Sequence, residues 1–325
     1  MNSRLCMEFS LIDRIRERTA QGRDDVRLGI GDDAALLAVP AGQELVVAID
    51  TLIEGVHFPR GTSAADIGWK SLAVNLSDLA AMGATPAWAL LALTLPAADS
   101  EFIDGLATGF TQLAQSYRVA LVGGDTTRGT LTLSVAVHGF VPPGKALLRA
   151  GAQIGDAIWV TGTLGDAAAG LQLVQQGGSA DSRSNYLIER LNRPTPRIAA
   201  GLALRGHATA CIDISDGLLA DLGHICVASK VGAEIDASLL PRSSALLDLF
   251  HETAARDFAL SGGDDYELCF TVPARHVAAM QADLARLGCG ATKIGRIVEG
   301  SGVRVRDADG QWQEPEHRGW DHFGA

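Results

Sequence analysis

The side chains best able to do chemistry in this chain are aspartates, and they recur beside glycine where apolar runs end. The segments are Gly31-Asp32-Asp33, Ile49-Asp50-Thr51, Gly123-Gly124-Asp125-Thr126, Asp213-Ile-Ser-Asp216-Gly217 and Ser261-Gly-Gly-Asp264-Asp265. A further acid, Asp78, follows Asn75-Leu-Ser inside a helix-like stretch. Glycine lets the backbone turn sharply and lets a ligand come close to it. Carboxylates placed at such turns can point into a shared crevice at the ends of strands. Gathered there, they repel one another unless cations lie between them. Magnesium suits such a set: it is hard, takes oxygen ligands, keeps water, and bridges one or two carboxylates to substrate phosphates. A single Gly-Asp is an ordinary turn; the repetition after successive apolar runs is what points to a site. Zinc is a poor alternative, since the 8 histidines are dispersed with no His-x-x-x-His and no Cys/His pairing. The Asp-x-Asp-x-Asp-Gly loop of an EF-hand is absent too.

The elements that must position these acids follow from the apolar pattern. Glu44 to Asp50 reads as a buried strand, as does Val119 to Val122, and Leu131 to His138 alternates as a half-exposed strand. Ala64 to Met82 and Ser100 to Tyr117 are helix-like, the second opening on Ser100 as its cap. Val141-Pro142-Pro143-Gly144 is a strong breaker, after which a fresh set of elements begins. Strands are expected near Ala157 to Val160, Ala208 to Ile214, Glu267 to Val272 and Ile294 to Val298. Helices are expected over Leu164 to Gln175, Gly217 to Ser229 and Ala274 to Leu287, with a surface loop around 177–184. Mixed helix and strand in both halves predicts α/β and α+β architecture in two domains, 1–148 and 149–325.

Composition sets outer limits. The 325 residues suit two domains of ordinary size, and 47% hydrophobic content supplies a core. A net charge of -11 without a Lys/Arg cluster argues against a nucleic-acid partner. Cys6, Cys211, Cys226, Cys269 and Cys289 are scattered and odd in number, so reduced thiols, four of them in apolar or helix-like stretches, are expected. No signal-like stretch opens the chain, and the most apolar segment, Ala87 to Leu95, is too short to span a bilayer. The expectation is a cytoplasmic protein with no membrane partner. Trp69, Trp88 and Trp159 read as core.

Two segments imitate nucleotide motifs. Gly29-Ile-Gly-Asp-Asp-Ala34 fits G-x-G-x-x-A, but Asp32 and Asp33 would face a pyrophosphate with like charge, and Pro40 would cut the required helix. Gly139-Phe-Val-Pro-Pro-Gly-Lys-Ala146 nearly fits a P-loop, but Ala146 lacks the metal-binding hydroxyl and two prolines remove amide donors. Arg149, just beyond, is the better phosphate ligand, because its fork can grip two oxygens.

Six segments in order carry a resemblance: Gly29 to Ala34, Asp50-Thr-Leu-Ile-Glu-Gly-Val-His-Phe58, Leu72-Ala-Val-Asn-Leu-Ser-Asp-Leu-Ala-Ala-Met-Gly-Ala84, Gly123 to Thr126, Asp213 to Leu218, and Ser261-Gly-Gly-Asp-Asp-Tyr-Glu-Leu268. Together they resemble the thiamine-monophosphate kinase family, of the aminoimidazole ribonucleotide synthetase-like superfamily. The likeness runs from about Glu8 to Gly319-Trp-Asp-His-Phe323. The Gly-Asp elements are shared across the superfamily, whereas Asp50 to Phe58 and the Trp-Asp-His-Phe tail are specific to the kinase.

The resemblance implies an N-terminal α/β domain whose sheet pairs with a second subunit's to make a homodimer, and a C-terminal α+β domain. It implies magnesium-dependent, direct in-line transfer of the γ-phosphate of ATP to thiamine monophosphate, with several magnesium ions, no covalent catalytic residue and no strong general base. By position, the metal ligands would be Asp33, Asp50, Asp78, Asp125, Asp213 and Asp216. Gly124, Asp125, Arg149 and Ser215 would hold ATP, and His57, Asp264 and Trp320 would contact thiamine monophosphate. Two departures stand out: Ala48 and Ile49 occupy positions where relatives carry hydroxyls, and His317 stands where some relatives have an aromatic. The competing readings are another ATP-dependent synthetase or ligase of the superfamily, and a non-catalytic nucleotide- or metal-binding dimer.

Overall fold

A computed structural model describes residues 3–20, 22–178, 181–307, 309–315 and 319–320, with 3–9 described by backbone alone. The Cys6 side chain, His317 and the tail residues 321–323 therefore lie outside the described residues. The chain divides into two units, Met1–Leu79 with Thr85–Gly144, and Ala80–Ala84 with Lys145–Ala325. The division thus falls at Gly144, within the Pro-Pro-Gly breaker, beside a sequence-based boundary at 148.

The first unit runs α1 (Ser3–Arg18), β1 (Val26–Leu28), β2 (Leu36–Leu37), β3 (Glu44–Ile53), α2 (Ala64–Ala81), β4 (Thr85–Leu95), α3 (Ser100–Tyr117), β5 (Ala120–Arg128) and β6 (Thr132–Val141). Its main sheet has the order β3-β6-β4-β5, antiparallel except for the β4–β5 pair. Helix α2 is buried on nearly every side, with Leu72, Ala73, Leu76 and Leu79 fully enclosed together with the polar Lys70, Ser71, Asn75 and Ser77. It lies against α3 at backbone distance: a Cβ on Gly68 would fall 2.0 Å from the Leu106 carbonyl oxygen, and one on Gly109 would fall 1.8 Å from that of Ala65. Only glycine permits this approach.

Three expectations need correction here. Strand β3 is not buried: Leu45, Val47 and Ile49 are 44%, 56% and 65% exposed. It is the edge strand of its sheet, and a run of apolar residues does not distinguish burial inside one chain from a surface awaiting a partner. Helix α3 is capped by Asp99 rather than Ser100, the Asp99 carboxylate accepting the N–H groups of Glu101 and Phe102. The loop expected around 177–184 is cut short, because α5 begins at Ser182 behind an Asp181 cap. The G-x-G-x-x-A segment leads from β1 into β2 and not into a helix, as the charge argument required.

The second unit runs β7 (Ala157–Thr161), α4 (Asp166–Gln175), α5 (Ser182–Asn192), α6 (Ile198–Leu204), β8 (Ala210–Asp213), α7 (Leu218–Ser229), β9 (Gly232–Asp236), α8 (Ser244–Leu249), α9 (Glu252–Ser261), β10 (Leu268–Val272), α10 (Val277–Arg286), β11 (Ala291–Val298), β12 (Gly302–Arg306) and β13 (Trp312–Gln313). The strands form one sheet in the order β13-β12-β9-β11-β7-β10-β8. Strands β7, β8 and β10 are buried along their whole length, and Ile158, Val160, Ile212 and Ile294 join Leu218, Leu222 and Ile225 of α7 in the core. Cys211, Cys226 and Cys269 are buried free thiols and Cys289 is half-buried; burial pushes the thiol of Cys226 up to about 11, so these cysteines pack rather than react.

Candidate active site

In the first unit the acids are positioned by β3, α2 and β5. The backbone N–H of Asp50 donates to Asn75 Oδ1 at 2.9 Å, and Asn75 Nδ2 donates to the Ser71 carbonyl at 2.9 Å. A buried amide on α2 thus fixes the strand that carries Asp50, and Asp78 sits, half-buried, one turn further along the same helix. After β3 the chain makes a tight turn in which the N–H groups of Val56 and His57 both donate to the Ile53 carbonyl. The Ile53 N–H in turn donates to His57 Nδ1 at 3.0 Å. With Nδ1 accepting, the neutral ring carries its proton on Nε2, so His57 offers a donor there. Beneath it, buried Lys70 donates to the His57 carbonyl at 3.1 Å.

Gly124 and Asp125 lie on β5, beside Leu91 and Ala92 of β4. Gly124 has φ +157°, and a Cβ there would sit 1.8 Å from the Leu91 carbonyl oxygen, so no other residue fits. Asp33 is exposed in the β1–β2 connection. Asp50 and Asp125 are not brought together within one sheet: β6 and β4 lie between their strands, roughly 14 Å measured along the sheet.

In the second unit one loop gathers the predicted residues. Residues 213–217 follow edge strand β8, and the carbonyls of Ile214, Ser215 and Asp216 accept N–H groups from Tyr266 (2.8 Å), Asp264 (2.8 Å) and Trp320 (3.0 Å). Asp213, Ser215, Asp216, Asp264 and Trp320 therefore converge on one place. Asp264 is left-handed at φ +68° and Tyr266 at φ +50°, conformations that cost non-glycine residues about 1–3 kcal/mol each and survive where surroundings enforce them. Here Tyr266 Oη also donates to Asp264 Oδ1 at 3.1 Å. Arg149 is laid along the same strand, since the Leu148 carbonyl accepts the Cys211 N–H and Ser229 Oγ donates to the Arg149 carbonyl.

Sequence reading passed over several residues that hold these groups. Asp221, on the first turn of α7, is buried and accepts the N–H groups of Ser215, Asp216 and Gly217. Burial first, then the charges of Asp213 and Asp216, push its carboxyl up to about 8, against the pull of the amides. The charges of Asp213 and Asp216 give this loop a negative potential and hard oxygen donors, which suit a divalent cation. Below it, buried Asp265 accepts the Gly165 N–H at 2.7 Å, and burial raises its carboxyl well above the ordinary range. Glu267 is fully buried between Arg190 and Arg197. Lys70 was passed over and Asn75 was read only as the setting of Asp78; both are polar residues buried within α2, and that was the available signal. Among the described residues no group of three or more His, Cys, Asp or Glu forms a ready-made metal cage.

The family models for AIR synthase related protein match both units, the N-terminal domain over residues 31–141 and the C-terminal domain over residues 153–308. The fold and its glycine-flanked acids thus define a two-domain AIR synthase related protein. The chain is 49% identical to the thiamine-monophosphate kinase of Escherichia coli (strain K12), across 98% of each protein. The crystal structure of thiamine-monophosphate kinase from Stenotrophomonas maltophilia K279a superposes with a TM-score of 0.88 at 55% identity, over 94% of this chain and 98% of that one. A structure of AaThiL complexed with AMPPCP and TMP superposes with a TM-score of 0.78 at 34% identity, over 99% of each chain. The chain belongs to the thiamine-monophosphate kinase family.

Proposed function

We propose that this chain transfers the γ-phosphate of ATP to the phosphate of thiamine monophosphate, giving thiamine diphosphate and ADP. The observation that carries the reading is the 213–217 loop, whose carbonyls hold both Asp264 and Trp320 while its side chains present Asp213, Ser215 and Asp216. An acid and an exposed ring suit a cationic thiazolium, and a cluster of aspartates beside them suits magnesium and phosphate. Asp33, Asp50, Asp78, Asp125, Asp213 and Asp216 would hold the magnesium ions. Bound magnesium supplies charge neutralisation between two phosphates that otherwise repel.

The protein's own groups do the positioning. Gly124, with no side chain, lets the nucleotide approach β5 beside Asp125. Arg149 offers a two-pronged donor to phosphate oxygens, and Ser215 a hydroxyl. His57 presents Nε2–H toward the acceptor, and Asp264 with Trp320 (57% exposed) receives the thiazolium and its ring. The acceptor phosphate is already ionised at neutral pH, so the reaction needs alignment and charge compensation rather than a base, and it proceeds with no phosphorylated residue. The reading places the enzyme in the cytoplasm as a homodimer. The exposed Leu45, Val47 and Ile49 on edge strand β3 are the surface a second sheet would cover. Among the described residues no helix is long and apolar enough to cross a membrane.

The test is ADP release from ATP and magnesium with thiamine monophosphate, free thiamine or an aminoimidazole-pathway substrate offered in parallel. Turnover with thiamine monophosphate alone, lost in Asp50→Ala, is the expected result. Turnover with another acceptor would move the assignment to a different synthetase or ligase. ATP binding with no turnover at all would leave a binding protein.

A further inference from the structure

We propose that Asp221 is a positioning residue that makes the nucleotide side and the thiamine side of the site one mechanical unit. This role rests on the reading of Asp213, Ser215 and Asp216 as metal and ATP ligands and of Asp264 and Trp320 as thiamine contacts. Asp221 is 3% exposed, and its Oδ2 accepts three consecutive backbone N–H groups, from Ser215 at 3.0 Å, Asp216 at 3.1 Å and Gly217 at 3.2 Å. All three amides point inward to one oxygen. The carbonyls of the same stretch point the other way, Ser215 to the Asp264 N–H and Asp216 to the Trp320 N–H.

An ordinary helix cap does not account for this. A capping side chain stands before its helix and accepts amides from the first turn. Asp221 stands inside α7 and reaches backward to residues that precede it, while the N-cap residue, Gly217, has no side chain to contribute. What the carboxylate fixes is the loop, not the helix end.

The loop also leaves no slack. A Cβ on Gly217 would fall 2.8 Å from the Ser261 carbonyl carbon, one on Gly263 2.5 Å from the Ser215 carbonyl oxygen, and one on Gly319 2.5 Å from that of Asp216. A loop released from Asp221 therefore shifts Asp264 and Trp320 with it. Loss of Asp221 is felt by both substrates together, whereas a change at Asp264 is felt at thiamine monophosphate.

The test compares Asp221→Asn, Asp221→Leu and Asp216→Asn in the full-length enzyme. It reads KM for ATP and for thiamine monophosphate, kcat, thermal melting, and amide hydrogen exchange over residues 214–218. Asparagine keeps one acceptor oxygen but exchanges the other for an N–H donor, which cannot replace it against the inward-pointing amides of the loop. The D221N enzyme is expected to fold, to exchange its 214–218 amides faster, and to show both KM values raised together by about tenfold. D221L, with no acceptor, loses about a hundredfold or more in kcat/KM for both substrates. Should D221L not fold, D221N decides. A folded D221N with both KM values within about twofold of the parent, or with only one of them raised, overturns the proposal. Full turnover by D216N would sink the loop assignment and the proposal with it, whereas an inactive D216N beside an unimpaired D221N sinks the proposal alone.

Discussion

Replacing Glu267 by glutamine should cost the second unit more than any surface change could. Glu267 is fully buried. Its Oε2 accepts Thr161 Oγ1 and Arg197 Nε, both at 2.6 Å, and its Oε1 accepts Arg190 at 2.9 Å and the second Arg197 nitrogen at 2.5 Å. Glutamine has the same shape but no charge, and one of its ends becomes a donor facing an arginine donor. Breaking a buried pair by changing one partner costs about 3–5 kcal/mol, because the remaining charge stays desolvated. For a domain of this size that lowers the melting temperature by roughly 6–20 °C. Differential scanning calorimetry of Glu267→Gln reads the shift directly. The double variant Glu267→Leu, Arg197→Met should recover part of the loss, since it removes Glu267 together with the arginine that pairs with it twice and leaves Arg190 beside buried Asp166. A Glu267→Gln enzyme melting within about 2 °C of the parent would refute the claim that this network is tightly desolvated.

Other perturbations separate the roles of individual residues. His57→Gln should raise KM for thiamine monophosphate about tenfold, the worth of one hydrogen bond to an ionised group, and leave KM for ATP unchanged; equal effects on both would remove its assigned contact. Gly124→Ala should weaken ATP binding and also lower the melting temperature, because its Cβ would meet the Leu91 carbonyl at 1.8 Å; an alanine variant with normal ATP affinity and melting would contradict that clash. Acid should weaken the first unit in two stages. Burial lowers the pKa of His138 below its ordinary 6.5, so the unfolded chain takes the proton first and stability falls as pH drops below that value. The hydrogen bond from Arg23 holds Asp25 below its ordinary 3.8, so its contribution is present above that pH and is lost as pH falls through the lowered value. Urea midpoints from pH 7 to 3 check both, and a midpoint flat across that range would refute both.

One convergence was legible because chemistry constrains residue type: carboxylates beside glycine after apolar runs suit magnesium and phosphate, and Asp213, Ser215, Asp216, Asp264 and Trp320 meet at one loop. What held them was less legible. Asp221 lies one helical turn past the motif and looks like any first-turn acid of a helix; its function appears only when the amides of three residues are seen to end on one oxygen. Asn75 was visible only as the neighbour of Asp78, and Lys70 not at all, because their partners Asp50 and His57 lie 25 and 13 residues away, outside α2.

The misreading of β3 has a different origin. Periodicity reports that a face avoids water but not which molecule covers it, so Leu45, Val47 and Ile49 read as core although the chain leaves them exposed. That ambiguity bears on the site itself. Asp50 is carried by the edge strand β3 and Asp125 by the opposite edge strand β5, so carboxylates that chemistry would gather are held at the two margins of one sheet. An edge that is long, apolar and uncovered invites another strand. A second copy meeting this margin would bury the residues that periodicity assigned to a core and would bring another sheet against the strand that carries Asp50. Sedimentation of Val47→Lys tests this: a monomer with lost turnover is expected, and an active monomer would show that one chain's acids suffice.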